Sequence, residues 1–301
     1  MSDNEIRELE RQLDVLTTDE RQHLERLWLR AGRGWHGETL VEDLHATEER
    51  GVYVWTRHGL NLEMVRVPEG RGDVIASAAR DNGSTLWVRI VETAFYIGRY
   101  PVTDKEWEVA YDKQFSPSRP LRHYFGHPKT NVTYTDARKF CAWVGLRLPI
   151  ADEWIRAALG KGAEKYITCK DCAGVGFRGE RDGRGIGCTS CNKFGKHRRK
   201  YPWGNETPTP ERCVSAWWDQ TPSSRLSVEP ARSTLPVRTP DEHPARPDGA
   251  APCGAHDMYG HIWEMDMSGA AHGGSFRGIG ETYLSPMNRT MNDDVGFRVA
   301  L

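Results

Sequence analysis

Four cysteines in the stretch CKDCAGVGFRGERDGRGIGCTSC, residues 169–191, carry the spacing of metal ligands. Cys169 and Cys172 form one C-x2-C pair, Cys188 and Cys191 a second, and 15 residues lie between the pairs. Four thiolates at this spacing can close a tetrahedral site, and soft sulfur ligands favour zinc. A site with four protein ligands has no open coordination position, so its expected role is structural. Gly174, Gly176, Gly179, Gly183, Gly185 and Gly187 permit tight knuckles but cannot build a core. A metal would then supply the ordering energy, on the order of 10 kcal/mol in comparable small sites.

The first pair, Cys169-Lys-Asp-Cys172-Ala-Gly174-Val-Gly176, resembles the CxxCxGxG repeat of DnaJ-type cysteine-rich domains. The second pair keeps the cysteines, but Lys193 replaces the first glycine and only Gly195 matches. A basic run follows at once, and Lys196, Arg198, Arg199 and Lys200 in it are candidate contacts for an anion or nucleic acid. The plainer reading of that run is a solvated loop whose charge nearby acids balance.

Other groups offer less. Cys141 lies in KFCAWV and reads as a small core residue, while Cys213 and Cys253 sit in separate loops. His23, His36, His45 and His58 show no ligand spacing. His123 and His127 are four apart, but Gly126 and Pro128 argue against a helix there. The chain has 301 residues, a formal net charge of -1, and eleven Trp and thirty Gly, which suits a loop-rich fold with a real core. Its start, MSDNEIRELERQ, lacks the apolar core of a signal peptide, and no apolar run reaches the roughly 18 residues of a membrane span. The expectation is a cytoplasmic protein without membrane attachment, in a compartment that keeps thiols reduced.

The elements that must position these groups are legible in outline. Ile6, Leu9, Leu13 and Leu16 form a helical stripe, and Thr17 with Glu20 caps a second helix carrying Leu24, Leu27 and Trp28. Residues 1–50 are thus an N-terminal helical segment, and residues 4–30 a candidate surface for self-association. Residues 52–67 and 85–97 read as strands. Thr103 with Glu106 caps a helix; further helices are expected near 134–144, stopping at Gly145, and near 150–159, stopping at Gly160. Long irregular loops are expected over 201–256, and VGFRVAL reads as a closing strand.

Several segments in order resemble the sulfatase-modifying-factor, or formylglycine-generating-enzyme-like, proteins. They are FYIGRYPVTDKEWEVAY, HPKTNVTYTDARKFCAWVGLRLPIADEWIRAALG, YPWGNE, GAHDMYGHIWEM, GGSF and VGFRVAL. The resemblance implies an α+β, C-type-lectin-like domain over 51–301, loop-rich, with the zinc clip and basic loop inserted at 165–200. Trp203, Trp263 and Phe297 would fill its core.

The resemblance also implies what to seek. Members that make formylglycine hold copper(I) with two cysteines between the GGS and GFR segments. Residues 273–298 contain no cysteine, and Met287 with Met291 cannot supply thiolate charge, so no copper is expected. Many members bind calcium, for which Asp219, Asp248 and Glu264 are oxygen donors here, although His261 stands where the family usually has Asn. Related binding proteins display a polar loop before the GFR strand. Arg277, Glu281, Tyr283, Asn288, Arg289, Asn292, Asp293 and Asp294 crowd that interval and suit adaptable recognition. The leading expectation is a catalytically degenerate member that binds a protein or peptide. The alternative is a metal-dependent oxidoreductase of the formylglycine-generating or sulfoxide-synthase type. Nucleic-acid binding through the clip ranks below both.

Overall fold

The computed structural model describes residues 40–69, 93–114, 126–160, 166–175, 177–181, 184–190, 195–214, 234–238, 244–277 and 292–301, the strand backbones at 75–76, 87–88 and 287–288, and positions 17, 23, 27, 33 and 34. The helical stripe of residues 4–16 lies outside the described residues.

Residues alternating between two apolar faces build the first sheet. Strands β1 (Leu44–Ala46), β2 (Val52–Arg57) and β3 (Leu60–Val67) run antiparallel, with Val52 opposite Val65 and Arg57 opposite Leu60. Leu60, Leu62 and Met64 enter one core, and Val65 and Val67 enter a second. A sheet buried on both faces needs apolar side chains at both strand parities, which is why LNLEMVRV lacks a clean polar face. The strand-like run at 85–97 divides between two sheets. β4 (Ile75–Ala76) and β5 (Trp87–Val88) pair with each other, whereas β6 (Phe95–Gly98) joins β3.

Three capped helices cover the first sheet. In α1 (Asp104–Gln114), Thr103 N donates to Glu106 Oε2 at 2.7 Å and Glu106 N donates to Thr103 Oγ1 at 3.3 Å. These reciprocal bonds satisfy two amides that the helix leaves open. α2 (Tyr134–Val144) begins where Thr133 Oγ1 accepts from Asp136 N at 3.1 Å and ends at Gly145. α3 (Ala151–Leu159) starts one residue later than expected. Ile150 has no polar side chain to cap it, and its N–H instead donates to Glu153 Oε2 at 3.0 Å. Arg147 holds that carboxylate through two bonds of 2.6 and 2.7 Å. Trp107 of α1 stacks on Phe140 of α2, and Phe297 meets both rings edge-on.

The clip contributes β7 (Tyr166–Thr168), β8 (Phe177–Arg181), β9 (Arg184–Gly187) and β10 (Lys196–Arg198), described below. A further sheet has the order β13 (Met287–Asn288), β12 (Ala270–His272), β11 (Trp263–Met265), β14 (Val295–Phe297), with β11 and β14 parallel. The chain then crosses to the first sheet. Gly98 N donates to Val299 O at 2.8 Å, and Leu301 N to Tyr96 O at 2.9 Å. Residues 295–301 therefore border both sheets, as the closing-strand reading of VGFRVAL requires. Trp263 and Phe297 are core residues as expected, but Trp203 is not. It is half-buried, stacked on Tyr201 at 5.2 Å with Tyr259 edge-on at 5.4 Å.

Arg298 sits at the crossing, fully buried. Its Nε donates to Glu264 Oε2 at 2.7 Å and its Nη2 to Oε1 at 2.6 Å. Its remaining N–H groups donate to the carbonyls of Gly98, Arg99 and His256, at 2.7, 3.2 and 2.8 Å. Trp154 Nε1 adds a bond of 2.6 Å to Glu264 Oε2. A buried ion pair is tolerable only when its lone pairs and protons are satisfied in this way.

Arg298→Met strands the Glu264 carboxylate in the interior and should lower unfolding free energy in urea by about 3–5 kcal/mol. Adding Glu264→Gln, which keeps an acceptor for Trp154, should recover part of that loss. A single variant that unfolds at the wild-type midpoint contradicts the assignment.

Candidate functional site

The end of the domain that carries the GGSF segment is built by a turn only glycine suits. Gly273 and Gly274 have φ of 98° and 81°, and a Cβ at Gly273 would lie 3.2 Å from the Trp154 ring. The turn sets Ser275 beside Asp294. Ser275 Oγ donates to Asp294 Oδ2 at 2.8 Å and accepts from Arg277 N at 3.2 Å. Asp294 is buried, and its Oδ1 has no hydrogen-bond partner. Asn131 N donates to Asn292 O at 3.0 Å and brings the 126–131 loop to the same place.

The expected recognition loop therefore divides. Arg277 and Asp293 form an exposed ion pair, and Asn292 is exposed. Asp294, read as a surface residue, is instead interior, because Ser275 hydrogen-bonds it beneath the loop. Asn288 lies in β13, where only the backbone is described. Glu281, Tyr283 and Arg289 lie outside the described residues.

A second buried network stands behind this end. Arg246 grips Asp257 through bonds of 2.6 and 2.9 Å, and its Nη2 also donates to Pro236 O at 3.0 Å. Leu235 N donates to His261 Nε2 at 3.1 Å. That nitrogen must be unprotonated, which places the ring proton on Nδ1, 3.6 Å from Asp257 Oδ2. Burial lowers the His261 pKa against the pull of Asp257. Burial opposes the charged Asp257 too, yet Arg246 and His261 hold its carboxyl well below the usual range. His127 Nδ1 lies 2.9 Å from Thr234 Oγ1, and burial followed by nearby His261 lowers its pKa. Two neutral histidines thus hold the 234–235 segment, and the structural reading of His127 stands.

The calcium reading needs correction at Glu264. Both of its oxygens are taken by Arg298 and Trp154, so it is not available as a cation ligand. Asp248 is exposed in the short turn Pro247–Gly249, and Asp219 lies outside the described residues. Cys141 and Cys213 are interior, and burial pushes both thiols up to about 12. Cys253 Sγ donates to Ala157 O at 3.4 Å.

The cysteine clip is a separate construction. Cys169, Cys172 and Cys188 are buried, and their sulfurs all lie within 4.8 Å of one another. Cys169 and Cys188 Sγ are 3.8 Å apart, far beyond the ~2.05 Å of a disulfide. Sulfurs bound at about 2.3 Å to one tetrahedral cation stand roughly 3.8 Å apart, the same edge. Burial, and then hydrogen bonds with the neighbouring thiols, push Cys169 up to about 11. A cation is what would make three such thiolates compatible. Cys191 lies outside the described residues.

The clip has its own small frame. β7 and β10 pair antiparallel, as do β8 and β9. Cys169 N donates to Gly195 O at 2.8 Å, and Val175 N to Cys172 O at 2.9 Å. A Cβ on Gly195 would fall 2.0 Å from Gly174 O, so only glycine lets the knuckle lie against β10. Lys196 and Lys200 are exposed, whereas Arg199 Nη1 donates to Pro202 O at 2.8 Å. For Arg198 only the strand backbone is described.

Sequence reading missed the charged seam around Arg298 and the pairs Arg246–Asp257 and Asp266–His272. The available signal was a charge inside an apolar run, Glu264 in HIWEM and Arg298 in VGFRVAL. Such charges are interior and must find a partner.

The sulfatase-modifying factor enzyme 1-like domain matches residues 56–301. Hercynine oxygenase of Mycolicibacterium thermoresistibile is 28% identical over 208 residues, 58% of this chain and 36% of that protein. Inactive C-alpha-formylglycine-generating enzyme 2 of Bos taurus is 26% identical over 185 residues, 62% of this chain and 42% of its own length. The chain thus spans less than half of these relatives. The solved structure of PvdO from Pseudomonas aeruginosa aligns with a TM-score of 0.48 at 16% identity, over 84% of this chain and 99% of that one. No helix among the described residues is long and apolar enough to cross a membrane.

The buried histidines give acid sensitivity of one sign. His261, His127 and His256 all have lowered pKa in the fold, so the unfolded chain binds protons more readily. Their contribution to stability is complete above about pH 6.5 and is lost as pH falls toward the lowered native values. The melting temperature should drop between pH 7.5 and 5.5. His261→Gln keeps an acceptor for Leu235 N–H and should flatten that drop, at a cost of about 1–2 kcal/mol at pH 7.5. Parallel pH profiles for the two proteins would exclude His261 as the source.

Proposed function

We propose that this chain, which belongs to the sulfatase-modifying factor enzyme 1-like family, is a member without formylglycine-generating chemistry that binds a protein or peptide. The observation that carries the reading is the interval from Gly273 to Arg298, which holds no cysteine. The copper site implied by the family does not fit these residues, since thioether and carboxylate groups there do not replace two thiolates. Recognition falls to the loop end, where Arg277, Asn292 and Asp293 are exposed above the buried Ser275–Asp294 pair. The unpartnered Asp294 Oδ1 supports this, because a buried acceptor lacking a donor costs about 1–3 kcal/mol that an arriving donor would offset.

In this reading residues 51–301 form the family domain and 165–200 an insertion in it. Cys169, Cys172, Cys188 and Cys191 hold one structural zinc. The 3.8 Å sulfur separation, the burial of three thiols and the absence of any other apolar residue from their cluster support that assignment. Zinc supplies no redox step here; it orders the insertion. The oxidoreductase reading has one point in its favour, the likeness to hercynine oxygenase. Among the described residues, however, the three cysteines are the one group of His, Cys, Asp or Glu with metal-donor spacing.

Metal analysis of the purified chain should give about one zinc per molecule and no stoichiometric copper or iron. Cys169→Ser and Cys188→Ser should lose the zinc while the main domain unfolds near the wild-type temperature. Oxygen consumption with a cysteine-containing peptide, or stoichiometric iron or copper, would overturn the binding reading in favour of the oxidoreductase.

A further inference from the structure

We propose that the cysteine clip is a docking site for the chain's own N-terminal stripe, residues 3–20. The proposal rests on the metal-clip reading above and assigns the clip an occupant.

The clip shows apolar surface that its small frame cannot hide. Val175, Phe177 and Ile186 are 71%, 46% and 48% exposed. They are three of the eight large exposed apolar residues among those described, gathered within twelve positions. Their placement explains the exposure. Phe177 lies opposite Gly187 across β8 and β9, and Ile186 is the neighbour of that glycine. Val175 is tied by its N–H to the Cys172 knuckle. Glycines supply no side chain to cover these three, and the only buried cluster of the clip is its cysteines. Apolar residues gathered on a surface and rimmed by charge mark an interaction site.

Charge decides the kind of occupant. From 166 to 206 there are nine Lys and Arg against four Asp and Glu, in a chain whose formal net charge is -1. The remainder of the chain is correspondingly acidic. Residues 3–20 carry seven acidic residues against Arg7 and Arg11, together with the stripe Ile6, Leu9, Leu13 and Leu16. An acidic segment with an apolar stripe at helical spacing complements a basic hairpin with three exposed apolar side chains. A nucleic acid would match the charge but leave Val175 and Ile186 uncovered.

The test uses the full chain with p-benzoylphenylalanine in place of Phe177. It is irradiated and digested, its cross-linked peptides are mapped by mass spectrometry, and zinc is measured in the same sample. Cross-links should fall within residues 3–20, whether from the same chain or a second copy. Their yield should drop at least about fivefold in Leu9→Glu/Leu13→Glu and in Arg181→Glu/Arg184→Glu. It should recover when the latter pair is combined with Glu8→Arg/Glu10→Arg. Zinc-loaded protein that cross-links elsewhere, to co-purifying nucleic acid or not at all, overturns the docking proposal. Protein without zinc overturns the metal reading instead, so the two failures are distinguishable.

Discussion

The guanidinium of Arg298 has all five of its N–H groups committed, and the architecture is arranged around that fact. It joins β11 through Glu264, the end of β6 through Gly98 and Arg99, and the 256 loop through a carbonyl. Through Glu264 it also fixes Trp154 of α3. Trp154 in turn stacks on His272, whose Nε2 lies 2.9 Å from Asp266 Oδ2, and backs the Gly273 turn that presents Ser275. A continuous set of contacts thus runs from the seam between two sheets to the loop end. Removing a charge from water is costly, and the geometry compensates only because no donor is left over.

The cysteine insertion follows a different logic. The main domain is ordered by two large apolar clusters on opposite faces of one sheet, whereas the insertion buries three sulfurs and little else. It begins after α3 and rejoins at the Tyr201–Gly204 turn, so the family domain accommodates it without sharing core residues. Its order and its charge can be altered with the rest of the molecule left intact. That independence is what makes it suited to acquiring a separate contact.

Features set by near neighbours in sequence were legible before the structure. The Thr103–Glu106 box, the stop at Gly145 and the cysteine spacing all depend on residues a few positions apart. Features set by distant partners were not. Glu264 is 34 positions from Arg298 and 110 from Trp154, so nothing local marks it as buried or removes it from a list of cation ligands. Asp294 misled for the same reason. Flanked by Asn292 and Asp293 it reads as surface, but the backbone rises into β14 there and Ser275, 19 positions earlier, takes it inside. Trp203 shows the reverse error, a large aromatic held at the rim by Tyr201 and Tyr259 rather than drawn into the core.

The double allegiance of residues 295–301 also governs how the protein can be made. Until they leave the ribosome, β11 lacks its parallel neighbour and β6 presents a bare edge. Arg298 reaches Gly98 across 200 positions, so both apolar clusters are largely synthesised long before the residue that locks them together exists. Such distant pairing slows folding, and an open strand edge is a template for unwanted association. The growing chain therefore carries its greatest aggregation hazard for most of its synthesis, and loses it only with the last few residues.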